Sequence, residues 1–414
     1  MADRTLFRAP RVFDGSGTPP FRADVLVEAD RIIAVGENIS PTQRAGARIV
    51  DGTGATLLPG LIDGHAHLGF GSTVEYRADR RETDEERALL VAHAGRVLLD
   101  HGFTSAYSGG NRLPRAEVAA RTAFERGWLP GPRLRAASWE GSAGLVSPGV
   151  YEFPGTDGRA SDPDSVASFV NDMADIGVDV VKLTLTGESA LIAGTSRVMQ
   201  FTEEEVAAAA GAAEKRGVWL TAHAHSAESV SMAVRHGIRA VYHCTYADEE
   251  ALDALTAARD RVFVAPTPGI IYAHLTDPSA PPADMEEMRQ TRASITRVAP
   301  ELLARGVRMV IGGDYGFPFN PIGHNARDLQ LFVEWFGFTP QQALRCATEY
   351  GGQLMGMGGE LGLIRPGYLA DLLLVDGDPL ADIAILQDAG RLAAVMRGGR
   401  FHRLDQARLD QARA

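Results

Sequence analysis

A chain of 414 residues, 45% apolar and 23% charged, can bury a core large enough for one barrel-sized domain and a smaller module. Its formal net charge of −12, from 41 basic and 53 acidic side chains, argues against an electrostatic nucleic-acid binder, which needs a basic surface. Met1 to Arg8 lack the apolar core of a signal peptide, and no run of about 20 apolar residues is long enough for a membrane span. The expected location is therefore cytoplasmic, with no membrane and no nucleic acid as partner. Cys244 and Cys346 form no CxxC pair and no disulfide framework, which reads as two buried thiols in a reducing compartment.

Residues 5–55 read as short strands and tight turns. Ala23 to Val27 alternates before the turn at Glu28-Ala29-Asp30, and Arg31 to Val35 runs on to Gly36. Ala370 to Val375 and Ala393 to Gly399 share that texture. Two β-rich ends around a different middle predict one small β-sandwich module built from residues 1–58 and 361–414.

The middle, residues 59–360, alternates strands with helices. Strand-like runs end at His65, near Thr104 and at Leu183, and others cover Val218–His223, Ala240–His243, Val262–Val264 and Val307–Gly312. One helix opens at Thr202, where Glu205 can complete a capping box, and closes near Gly217. Another opens at Thr339, with Pro340 in its first position. Strand and helix repeated over about 300 residues is the pattern of an α/β protein of the (β/α)8 TIM-barrel class. A doubly wound open sheet is the alternative, although no GxGxxG or P-loop supports it.

Polar residues sit where these strands end: His65 and His67 in Asp63-Gly64-His65-Ala66-His67, Lys182, His223 with His225, His243, and Asp314. Residues two apart on an extended segment share a face, so His65 and His67 can grip one ion. In a barrel all these ends converge on one mouth. Imidazole nitrogen with carboxylate oxygen is a donor set for divalent metals. A single strand-end histidine is more often a hydrogen-bonded structural residue, but six such groups together are hard to explain that way. Lys182, among Val180, Val181 and Leu183, is a costly buried cation. Carboxylation by carbon dioxide would turn it into an anion able to bridge two metals, and a salt bridge to Asp314 or Glu140 is the other reading.

These motifs resemble the metal-dependent amidohydrolase superfamily. The likeness is strongest to its imidazolonepropionase-like branch, with its ochratoxinase-like amidases and Xaa-Pro or Xaa-Arg/Lys dipeptidase-like enzymes. It runs from Leu58–His67 through Val181-Lys182-Leu183, Gln200–Glu205, Ala222–His225 and Tyr242–Tyr246, then through Gly313-Asp314, His324–Leu329 and Pro366–Leu372. The resemblance implies a binuclear site of two divalent ions, zinc or cobalt. His65, His67 and Asp314 would hold one ion, His223 and His243 the other, and carboxylated Lys182 would bridge them. A hydroxide between the metals would attack a C–N bond of a small-molecule amide, peptide-like or carbamate substrate, with Asp314 as proton shuttle. His324 would face the substrate, and His223 rather than His225 would be the ligand of the His-Ala-His motif.

Two stretches depart from the branch, Thr184-Leu185-Thr186-Gly187-Glu188 and Tyr315-Gly316-Phe317-Pro318-Phe319. His225, Tyr315, Phe317 and Trp139 are the candidate substrate-binding residues, and with Phe319 and Trp335 the aromatic ones point to an apolar or aromatic substrate; plain packing is the other reading. A mononuclear deaminase is a rival, because His225-Ser226-Ala227-Glu228 matches its His-x-x-Glu pattern. A non-catalytic scaffold is a third, although such relatives lose ligands and none is missing here. A closed homo-oligomer is the common outcome at this size.

Overall fold

The computed structural model describes residues 4–70, 83–142, 161–188, 194–280 and 284–409. The middle of the chain carries strands Leu61–Ala66, Phe103–Ser108, a third in two pieces (Arg133–Arg135 and Ala137–Gly141), Val180–Thr184, Trp219–Ser226, Ala240–Tyr246, Phe263–Ala265 and Arg308–Met309. Each is parallel to the strand before it, in sequential order. At the break in the third strand, the Asn111 amide donates to the Ser138 carbonyl at 2.9 Å. A doubly wound sheet reverses its strand order partway, and the described strands never do. The fold is TIM-barrel-type, with a helix after most strands.

Local chemistry explains the helix limits. Thr202 and Glu205 form the anticipated capping box of Glu203–Arg216, which stops at Gly217 in the left-handed region (φ 67°). Thr339 and Gln342 do the same for Pro340–Ala347. Apolar positions face inward: Ile62, Tyr107, Val180, Tyr242, Phe263 and Val310 form one buried cluster, and a larger one packs the helices on the strands. The eighth strand is shorter than its apolar run suggests. Beyond Met309 the chain makes separate bonds to its neighbours, among them Val310 N to Val264 O and Gly64 N to Ile311 O at 2.8 Å.

The two ends of the chain supply two more sheets. One orders Arg31–Gly36, Asp24–Glu28, Arg4–Arg8 and Arg48–Asp51. The other orders Arg400–Leu404, Leu392–Arg397, Leu372–Asp376, Ala55–Pro59, Arg11–Val12 and Phe21–Arg22. Leu57 lies between Leu374 and Val12. Phe7, Val25, Val27 and Val50 of the first sheet share a buried cluster with Leu57, Leu372, Leu374 and Met396 of the second. Arg133 ties the third middle strand to these sheets by two bonds to Asp371, at 2.8 and 3.0 Å. Both cysteines are buried and free. No described helix is long and apolar enough to cross a membrane.

Candidate metal centre

Side chains from the carboxyl ends of the first, third, fourth, fifth and sixth middle strands meet those of the segment after the eighth. His65 and His67 are both 1% exposed. The His67 backbone N–H donates to Tyr315 O at 2.9 Å, fixing the first strand end beside Asp314. His67 Nε2 lies 2.8 Å from Asp314 Oδ1 and 3.2 Å from His65 Nε2, and His65 Nε2 is 3.6 Å from the same carboxylate oxygen. Two donors about 2.1 Å from one tetrahedral ion stand about 3.4 Å apart, so this trio has the spacing of ligands to a common cation. Gly110 O accepts from His67 Nδ1 at 3.0 Å, an outer bond that orients a ligating imidazole. The Tyr242 ring stacks on His65 at 3.7 Å between centroids, 9° from parallel.

A second group adjoins it. Glu188, His223, His225 and His243 each offer a donor atom within 4.8 Å of the others, and the His65 and His243 ring centroids are 5.6 Å apart. His243 Nδ1 is 2.6 Å from Thr267 Oγ1, while its buried Nε2 has no partner. An orphaned buried nitrogen of this kind is costly unless it holds something. His243 (φ 70°), Thr267 (φ 49°) and Asp314 (φ 61°) all occupy the left-handed region, which non-glycine residues take at a cost and mostly at functional positions. Lys182 is 1% exposed. Its ammonium donates to Gly109 O at 3.0 Å and lies 3.4 Å from His65 Nε2 and 3.7 Å from Glu140 Oε1.

Electrostatics set these groups for cation binding. Burial lowers His223 to about 3 and puts His65 and His243 well below the usual imidazole range, leaving neutral rings, the form that binds metal. Burial also disfavours charge on His67, but the Asp314 carboxylate beside it, with Glu140 beyond, raises its pKa. Burial lowers the Lys182 pKa against the pull of Glu140 and Asp314. The convergent donors, the orphaned His243 nitrogen and the neutral imidazoles fit divalent cations.

The structure brings together His65, His67, Lys182, His223, His225, His243 and Asp314. His225 sits between Thr245 Oγ1 (2.8 Å from Nδ1) and Glu188 Oε2 (3.2 Å from Nε2). Phe317 is also in place, 6.1 Å from the His67 ring and 5.4 Å from Phe70, which itself stacks on His67 at 4.3 Å.

Three other candidates are not among the clustered donors. The Tyr315 side chain is fully buried and donates to Asp328 Oδ1 at 3.0 Å, behind the strand end. Trp139 packs on the large buried cluster, and its neighbour Glu140 is the residue that reaches His67 and Lys182. His324 is exposed, with Arg327 donating to its Nδ1 at 3.5 Å. The next residue, Asn325, donates to Asp63 Oδ2 at 2.6 Å, which ties this turn to the first middle strand. Trp335 packs against Tyr272 and Arg292. Glu228 of the His-x-x-Glu match is exposed, in the first turn of helix Ala227–Arg235.

Sequence reasoning did not single out Glu188, Thr267, Phe70 or His274 for the site, and it took Glu140 only as a salt-bridge partner. His274 is 6% exposed, its Nδ1 has no partner, and its ring packs on Phe319 at 4.8 Å. No spacing marks such single loop and helix residues. The departure of Thr184–Glu188 from the branch was the one available signal for Glu188.

A TIM-barrel-type fold with clustered His, Asp and Glu at its strand ends defines a class of metal-dependent hydrolases. The chain belongs to the amidohydrolase family, whose model matches residues 56–401. It is accordingly a hydrolase acting on carbon–nitrogen bonds. It is 25% identical to an ochratoxinase of Aspergillus niger over 423 residues, covering 96% of this chain and 86% of that protein. An imidazolonepropionase of Paracoccus denitrificans is 26% identical over 385 residues, covering 85% of this chain and 87% of that protein. A crystal structure of a Xaa-Pro dipeptidase with bound methionine in its active site superposes with a TM-score of 0.82 at 26% identity, covering 97% of this chain and 100% of the other.

Proposed function

We propose that the chain is a binuclear metal-dependent hydrolase cleaving a C–N bond of an amide, peptide-like or carbamate small molecule. His65, His67 and Asp314 would hold one divalent ion and His223 and His243 the other, with Lys182 carboxylated between them and zinc or cobalt as occupants. The observation that carries this reading is the pair of adjoining donor clusters, with buried Lys182 reaching His65. When bound, the ions polarise the scissile carbonyl and bring the pKa of water towards neutrality. Asp314 takes a proton from the attacking water and delivers it to the leaving nitrogen, which needs only hydrogen-bond reach. Carbon dioxide on the Lys182 amine would replace a buried cation with an anion among neutral imidazoles. Phe70, Phe317 and Phe319, in contact from ring to ring, offer an apolar group of the substrate a wall beside His67.

The same reading takes the middle strands as a closed eight-stranded barrel over residues 59–360; the Gly64–Ile311 and His67–Tyr315 bonds support closure. The two terminal sheets, residues 1–58 and 361–414, would form a β-sandwich, supported by the cluster they share. The dipeptidase among the similar structures favours a peptide-like bond, and the exposed Glu228 counts against the deaminase.

The test is to load purified protein with zinc or cobalt and bicarbonate. It is then offered N-acyl amino acids, dipeptides, aryl carbamates and aminated heterocycles, with products read by mass spectrometry. Release of an amine with its acid or carbonate partner is expected. Ammonia alone, with carbonyl replacing amino on a ring, would overturn the reading in favour of a deaminase.

A further inference from the structure

Glu188 ends a stretch that the fold holds firmly against the fifth strand. Leu185 N donates to His223 O at 2.9 Å and Gln200 N to Leu185 O at 2.9 Å. A side chain on Gly187 would meet Thr195 at 2.6 Å, so the approach of this loop requires glycine just before Glu188. The carboxylate that results is partly buried, with 19% of the side chain exposed. Its Oε2 lies 3.2 Å from His225 Nε2 and 3.8 Å from His223 Nε2, and the same carboxylate belongs to the four-donor group that includes His243.

We infer that Glu188 is a protein ligand of the second ion, alongside His223 and His243. This rests on the metal-pair reading above and adds to it a donor that the two-imidazole assignment lacks. The contacts of Lys182 favour it. Its ammonium meets Gly109 O, His65 and Glu140, all on the side of the first ion. The second ion would otherwise have two neutral imidazoles and no carboxylate from its own side. Three protein donors with one of them a carboxylate, leaving a further position open, is a common arrangement for a catalytic zinc. Charge points the same way. Two divalent ions bring four positive charges into a buried site, Asp314, Glu140 and a carboxylated Lys182 return three negative ones, and Glu188 supplies the fourth. Binding of the second ion then depends on Glu188.

The experiment titrates chelator-stripped protein with cobalt in buffer containing bicarbonate. Calorimetry and elemental analysis count the ions, and the visible absorption of the cobalt protein reports their coordination. Wild type should take two ions per chain. Glu188→Gln should keep the first and bind the second at least about 10-fold more weakly, with an altered cobalt spectrum. Glu188→Asp, which keeps the charge at a shorter reach, should fall between them and serves as the test if Glu188→Gln does not fold. Two ions bound by wild type and variants with equal affinity and the same spectrum would overturn the assignment of Glu188. Fewer than two ions in wild type with bicarbonate present would overturn the metal-pair reading, and this inference with it.

Discussion

Gly109 stands where the second strand comes closest to the metal centre, and replacing it with alanine tests the whole geometry by one methyl group. A Cβ there would lie 2.2 Å from His65 Cδ2, 2.8 Å from His65 Nε2 and 3.0 Å from His67 Nε2. Ordinary carbon contacts are about 3.5 Å or more, so the His65 ring would have to retreat by about 1.3 Å. It has nowhere to go: Tyr242 stacks on one face, and Gly312 approaches its Cβ so closely that a methyl there would sit 2.6 Å away. Overpacking of this kind costs about 1–3 kcal/mol. With about 2.1 cal/mol/K of unfolding entropy per residue over 414 residues, that lowers Tm by about 1–3 °C. The effect on metal should be far larger, since ligand positions matter to about 0.2 Å. Affinity for the ion at His65 and His67 should fall by at least about 100-fold, a loss of about 2.7 kcal/mol. Calorimetric zinc titration of chelator-stripped protein, paired with a melting curve, reads both numbers. A Gly109→Ala protein that binds both ions as tightly as wild type would refute the claim that His65 is a clamped ligand.

Thr267→Val removes the hydroxyl 2.6 Å from His243 Nδ1 and should weaken the second ion about 10–100-fold while the first is untouched; equal loss at both sites in a metal titration would contradict the assignment. Asp371→Asn breaks the two-bond pair with Arg133, whose carboxylate side is 2% exposed and also accepts from Gly398 N. A loss of about 3–5 kcal/mol in denaturant unfolding is expected, and a change under about 1 kcal/mol would show that the terminal sheets do not lean on this bond. Burial raises Glu117 to about 7 against the bonds from Ala137 N, Asn111 and Ser108 that favour its anion. Between its ordinary pKa near 4.5 and that value the folded chain holds a proton the unfolded chain has released. Stability from this group is therefore full at acid pH and falls as pH rises through about 7. Glu117→Gln should flatten that part of the slope in unfolding measured at pH 5 and pH 8, and an unchanged slope would remove Glu117 as its source.

The donors at the strand ends were readable because each follows an apolar run that ends in a chemically unusual residue, as Val180-Val181-Lys182 and Leu61-Ile62-Asp63-Gly64-His65 do. The capping box at Thr202 and the helix start at Thr339-Pro340 were readable because they are local. What failed was direction. The register shifts between Ala137 and Glu140, and Asp314 takes a left-handed turn. Counting alternate faces therefore could not tell that Glu140 reaches His67 and Lys182 or that the Tyr315 hydroxyl turns to Asp328. His274 lies on the helix after the seventh strand, Pro268–Thr276, and meets the aromatic wall only through tertiary packing. The β texture of both chain ends was plain, but the pairing of Leu57 with Leu374 joins segments with no local signal between them.

That pairing also sets a timetable for the nascent chain. Ala55–Pro59 is translated early, yet its antiparallel neighbour Leu372–Asp376 emerges more than 300 residues later. At about 5–20 residues per second the wait is about 15–60 s. Throughout it one side of the strand, with Leu57 and Leu58, has no mate, and such an open edge invites pairing with another chain. The first middle strand shares such a wait on one edge, because its bonds to Ile311 and Tyr315 join segments more than 240 residues apart, whereas the later ones pair with their immediate predecessors. Emergence of Leu372–Asp376, rather than completion of the middle strands, is then the event that closes this edge.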